Sequence, residues 1–102
     1  MKKTAIIAAA IALLGVCSAH AAGDAAAGQK KYAVCAGCHG AAGTGNEILK
    51  YPQLAGLDAA YVGEQLRAFR SGARDNATMK AMTAGLNDDD IRNLAAYIAT
   101  LK

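Results

Sequence analysis

Apolar positions recur along this chain with helical spacing. Val62, Leu66 and Phe69 stand at i, i+4 and i+7, which draws one apolar stripe along a helix. Asp58 is placed to cap that helix and Gly72 to end it, so the pattern predicts a helix over 59–71. Ile91, Leu94, Ala95, Ile98 and Leu101 form a second stripe, behind the acidic opening "LNDDD". Three carboxylates at that point suit the positive end of a helix dipole. A third helix is predicted over 24–36, where Asp24 precedes good helix formers such as Ala25, Ala26 and Ala27. Residues 73–87 read as irregular, and "YPQLAG" at 51–56 as extended or turn-like, because Pro52 biases Tyr51 away from the helical region. No stretch alternates with period two over a useful length. The expectation is an all-α domain.

The first residues belong to a different pattern. Lys2 and Lys3 precede an uncharged apolar run from Ala5 to Cys17, followed by the small-x-small sequence Ala19-His20-Ala21. The run is shorter than the 18 or so apolar residues of a membrane span. These features predict a cleaved signal peptide over 1–21 and a single domain over 22–102 beginning at Ala22 or Gly23. The alternative is a retained anchor.

Removal of that segment changes the composition. Nine basic residues remain against eight acidic ones, so much of the formal charge of +3 belongs to the export signal. It gives no argument for nucleic-acid binding. Cys17 and His20 also leave, so Cys35, Cys38 and His39 become the only cysteines and histidine. About 80 residues bury a limited share of their surface, and such domains commonly depend on a covalent or metal staple.

The stretch "YAVCAGCHGAAGTG" at 32–45 holds those residues. Cys-x-x-Cys-His is the signature of c-type haem attachment. A thioredoxin-like pair would need strands around it. A structural zinc site takes about four ligands, and the cluster supplies three. A plain disulfide across so short a ring would restrict little chain entropy. "GAAGTGN" at 40–46 follows no strand and is followed by no Lys-Ser/Thr pair, so it reads as a glycine-rich loop and not a phosphate cradle. In the haem reading Cys35 and Cys38 form thioethers about one helical turn apart and His39 supplies the proximal nitrogen.

With these residues in view, the chain resembles a class I c-type cytochrome. It is similar to cytochrome c-553 and to one half of cytochrome c4. The resemblance rests on "CAGCH" at 35–39, on Gly28 and Tyr32 paired with Leu94 and Tyr97 where terminal helices cross, and on a methionine in "ATMKAMTAGLNDDD". It implies about three main helices and short helical turns around one covalent haem c. It also implies that the sixth iron ligand stands seven residues before Leu86, which is Met79, with Met82 as apolar filler. A proline carbonyl about a dozen residues after the histidine orients the ring in the family. Pro52, thirteen residues after His39, carries that role over. Leu54 to Gly56 resembles the haem-edge loop, and Leu54, Leu66, Phe69 and Leu86 are the expected apolar wall.

The function implied is periplasmic one-electron transfer, without catalysis, between redox proteins such as membrane cytochrome complexes, terminal oxidases or reductases. Neither nucleic-acid binding nor stable membrane insertion after processing is expected, and the state implied is a monomer or weak homodimer. Two alternatives stay open: an electron-transfer subunit of a larger enzyme, and a gas-binding or sensing haem protein with an open sixth site. Arg67, Arg70 and Arg74, with Lys80, offer either a basic docking rim or a solvated helix face.

Overall fold

A computed structural model of the chain describes residues 23–102. The expected signal peptide over 1–21 lies outside the described residues. Four helices follow in order: α1 (Ala25–His39), α2 (Ala59–Ser71), α3 (Ala77–Thr83) and α4 (Asp88–Ile98). Among the described residues the extended backbone is limited to one isolated antiparallel bridge, Asn46 with Tyr51. The all-α expectation holds.

Each helix begins where a side chain can satisfy its free N–H groups. The Asp24 carboxylate accepts from Ala26 and Ala27, and that of Asp58 from Ala60 and Tyr61. Asn76 accepts from Met79. Asn87 and Asp90 form a reciprocal capping box at α4. Gly72 ends α2 with φ 87°, in the left-handed region.

Three boundaries differ from expectation. The first helix continues past residue 36 to His39, because Gly40 at φ 90° is the first residue to leave the helical path. The stretch 73–87, expected to be irregular, contains the seven-residue α3. Leu101 lies beyond the end of α4 and is half-buried, so it extends the apolar face without belonging to the helix.

The terminal helices cross tightly. A Cβ on Gly28 would overlap the Asn93 carbonyl oxygen and stand 2.9 Å from Tyr97 Cβ. Tyr32 and Tyr97 pack beside the crossing, with ring centroids 5.3 Å apart. The main chain of Asp24 donates to Asn93 Oδ1 at 2.8 Å and anchors the start of α1 on α4. Tyr32, Val62, Leu66, Ile91, Leu94, Ala95 and Ile98 make the core, joining α1, α2 and α4.

Candidate functional site

The CxxCH stretch occupies the last turn of α1, so the helix itself sets the spacing of its side chains. Cys35 is half-buried and Cys38 is exposed, and no disulfide joins them. Burial, and secondarily the neighbouring Cys38, push the Cys35 thiol above its ordinary range.

His39 is 7% exposed. Its Nδ1 lies 2.9 Å from the carbonyl oxygen of Pro52. A carbonyl can only accept, so Nδ1 carries a proton, and in the neutral ring that leaves the lone pair on Nε2. Nε2 has no hydrogen-bond partner among the described residues. The ring is thus held in the tautomer a metal ligand requires. Gly45 supports the same turn by donating its N–H to the His39 carbonyl at 2.8 Å. A Cβ at Gly45 would stand 2.5 Å from the Tyr51 carbonyl oxygen, where φ is 73°, so only glycine fits there.

Beside these groups opens a cavity of about 940 Å³, at the upper end of the range for small-molecule and cofactor sites, about 300–1,000 Å³. Its walls include Val62, Leu66, Phe69, Leu94 and Ile98, so the opening is cut into the hydrophobic core. Leu54, Pro52, Cys35, Cys38 and His39 line it as well. Met79 and Met82 enter it from α3. Met79 is half-buried and Met82 is 45% exposed. Thr83, 1% exposed, is the buried residue of α3, and its hydroxyl donates back along the same helix to the Met79 carbonyl at 2.8 Å. Thiols, a tautomerically fixed imidazole, soft thioethers and an apolar wall in one cavity fit an iron porphyrin.

Two residues expected at the pocket, Gly56 of the haem-edge loop and Leu86 of the wall, stand elsewhere. Gly56 is exposed, at φ 89°, and its N–H donates to the Leu101 carbonyl at 2.9 Å. It ties the loop to the C-terminus and does not line the cavity. Leu86 packs against the core from the start of α4, because Arg70 Nη1 holds its carbonyl at 3.1 Å. The remaining expected residues do line the cavity.

The arginines do not form one rim. Arg70 reaches Asp88 at 2.8 Å. Arg67 lies with Arg92 along a second, smaller groove between α2 and α4. Arg74 lies past the end of α2 and lines the main cavity. Residue spacing alone cannot separate these fates, since i, i+3, i+7 implies a continuous helix, and α2 stops at Ser71. Tyr51, whose ring centroid is 6.4 Å from that of His39, and Tyr61 also line the cavity. Sequence pattern alone places neither tyrosine. The bridge from Asn46 to Tyr51 and the Asp58 cap position them.

Comparisons with known proteins agree with this geometry. The family model described as cytochrome c matches residues 25–102. A thiosulfate dehydrogenase electron acceptor of Thiomonas intermedia is 43% identical over 91% of this chain and 43% of its own length. Cytochrome c4 of Pseudomonas aeruginosa is 44% identical over 82% of this chain and 41% of its own. The chain therefore spans less than half the length of these two relatives. Cytochrome c-554(548) of Halomonas halodenitrificans, in contrast, is covered over 98% of its length at 43% identity. The crystal structure of reduced cytochrome c4 from Pseudomonas stutzeri superimposes with a TM-score of 0.73 at 33% identity, covering 79% of this chain and 52% of that one.

Proposed function

The chain belongs to the cytochrome c family, and on that premise we propose that it is an electron carrier with covalently bound haem c and assign roles to its individual residues. Cys35 and Cys38 would tether the porphyrin covalently through their sulfur atoms. His39 Nε2 and the Met79 sulfur would hold its iron. When bound, haem c supplies a site that gains or loses one electron reversibly.

The single observation that carries this reading is the bond between His39 Nδ1 and the Pro52 carbonyl, at 2.9 Å, in the same cavity as both thiols and both methionines. Pro52 orients the imidazole and raises its basicity as a ligand. Leu54, Leu66 and Phe69 exclude water from the site. The half-buried position of Met79 favours it over Met82. A thioether ligand such as the Met79 sulfur would raise the potential.

Export to the periplasm after cleavage of residues 1–21 belongs to the same proposal, as does exchange of electrons with other redox proteins and not catalysis by this chain alone. No helix among the described residues is long and apolar enough to cross a membrane.

Absorption spectra of the ferric and ferrous protein test the ligand assignment. Met79→Leu abolishes the weak ferric sulfur-to-iron charge-transfer band, while Met82→Leu retains it. The reverse pattern reassigns the ligand. Prompt carbon monoxide binding by the unmodified ferrous protein indicates an open sixth site and a gas-binding role.

A second reading, as the electron-transfer subunit of a larger enzyme, is supported by the relatives named thiosulfate dehydrogenase electron acceptor. Stable co-purification with a catalytic partner distinguishes it from a free carrier.

A further inference from the structure

Met79 and Met82 stand three residues apart on the same short helix, and both reach the cavity. Their main chains are held differently. The Met79 N–H donates to Asn76 Oδ1 at 2.9 Å. The Met79 carbonyl accepts from the Thr83 hydroxyl at 2.8 Å. Both main-chain polar groups of residue 79 are therefore engaged by side chains. Among the described residues no side chain bonds the main chain of Met82.

These two bonds secure the ends of α3. A helix of seven residues is too short to be stable on its own in water. Asn76 caps its first turn from extended backbone. At the other end Thr83 is 1% exposed. Its hydroxyl carries one hydrogen, and the Lys80 carbonyl is the more distant of two acceptors, at 3.3 Å. The Leu86 N–H donates to the Thr83 carbonyl at 3.0 Å and ties the end of α3 to the turn before α4. Residue 79 thus lies between a capped start and a buried end. Its backbone has little freedom to carry the side chain out of the cavity.

We propose that Asn76 and Thr83 are positioning residues for the Met79 sulfur, holding it at the sixth iron position against competing ligands; the inference rests on the reading of Met79 as that ligand. A thioether favours ferrous over ferric iron, so the ferric protein depends most on a sulfur already in place. A ligand on fixed backbone loses less freedom on binding than one on a mobile segment. With either bond removed, residue 79 yields its place more readily to an outside base. Met82 has no equivalent support, which is a second physical difference between the two methionines.

Imidazole added to the ferric holoprotein, followed by absorption, tests this, because the added base binds only where the sulfur has left. Asn76→Ala and Thr83→Val each bind imidazole about threefold to tenfold more tightly than the unmodified protein, the range expected from losing one cap or one hydroxyl bond. Asn76→Ser keeps a cap and Thr83→Ser keeps the hydroxyl. Both restore the weak binding of the unmodified protein. Gly28→Ala strains the crossing of α1 and α4, away from α3, and leaves imidazole affinity unchanged. An unchanged affinity in Asn76→Ala or in Thr83→Val overturns the role of that residue. Serine variants that behave like the Ala and Val variants overturn the proposal. So does equal tightening in Gly28→Ala, which makes the affinity a measure of overall stability. A Met79→Leu protein that keeps the ferric sulfur-to-iron band defeats the parent reading instead.

Discussion

Gly28 of α1 meets Asn93 of α4 so closely that any side chain at position 28 collides with backbone, since its Cβ would overlap the Asn93 carbonyl. Backbone cannot rotate out of the way as a side chain can. Gly28→Ala therefore forces α1 and α4 apart, at about 1–3 kcal/mol for overpacking. For a domain of this size each kcal/mol lowers Tm by roughly 4–8 °C. Thermal denaturation followed by circular dichroism measures it, and an unchanged Tm contradicts the crossing described here.

Tyr32 links that crossing to the haem-binding turn. Its hydroxyl donates to the Gly40 carbonyl at 2.7 Å, one residue past His39. Tyr32→Phe keeps the ring beside Tyr97 and removes this bond, at about 1 kcal/mol.

The same residue sets an alkaline limit. Burial, then Cys35 and then Tyr97, push the Tyr32 phenol above its ordinary value. The Cys35 contribution vanishes once that sulfur is a thioether, and burial remains. The raised folded value means the unfolded chain ionises first, near pH 10. This contribution to stability is thus complete below that pH and is lost as pH rises through the folded value. Denaturant midpoints from pH 8 to 11 fall more steeply in the unmodified protein than in Tyr32→Phe. Parallel curves contradict the assignment.

Arg70 has an acid counterpart. Its hydrogen bond, and then its charge, hold the Asp88 carboxyl below the usual range. A lowered folded value gives a contribution present above the unfolded pKa and lost as pH falls through the folded one. Arg70→Gln returns the Asp88 titration, followed by NMR, to the ordinary carboxylate range. It also releases the Leu86 carbonyl, so the start of α4 loses hydrogen-exchange protection.

The acceptor for His39 is main chain, not side chain. Pro52→Ala keeps the carbonyl and loses only the restriction on the unfolded chain, about 0.4–1 kcal/mol. The His39 Nδ1–H proton remains protected from exchange in that variant. Its loss shows that the ring of Pro52 is needed to hold the loop.

Helix α2 is readable from sequence because cap, stripe and stop all coincide: Asp58, then Val62, Leu66 and Phe69, then Gly72. The His39–Pro52 pair is reached through a family resemblance and a lone proline. The features that sequence does not reveal have physical causes. Helix α3 is seven residues long and buries only Thr83, too little to leave a periodic stripe. The longer α1 reflects a stop signal at Gly40 that lies past the CxxCH motif. Leu86 looks like a wall residue and Gly56 like part of the haem-edge loop by position, yet one packs on the core with its carbonyl held by Arg70 and the other is tied to Leu101. The separate surroundings of Arg67, Arg70 and Arg74 depend on contacts with α4 and the cavity that no local pattern encodes.

The central claim is that this small helical domain closes around a porphyrin tethered by Cys35 and Cys38. Intact-mass analysis of the exported protein after denaturation tests it most directly. The account predicts one haem retained covalently and no titratable thiol in the processed chain. A natively folded, exported chain with two free thiols and no attached porphyrin contradicts it.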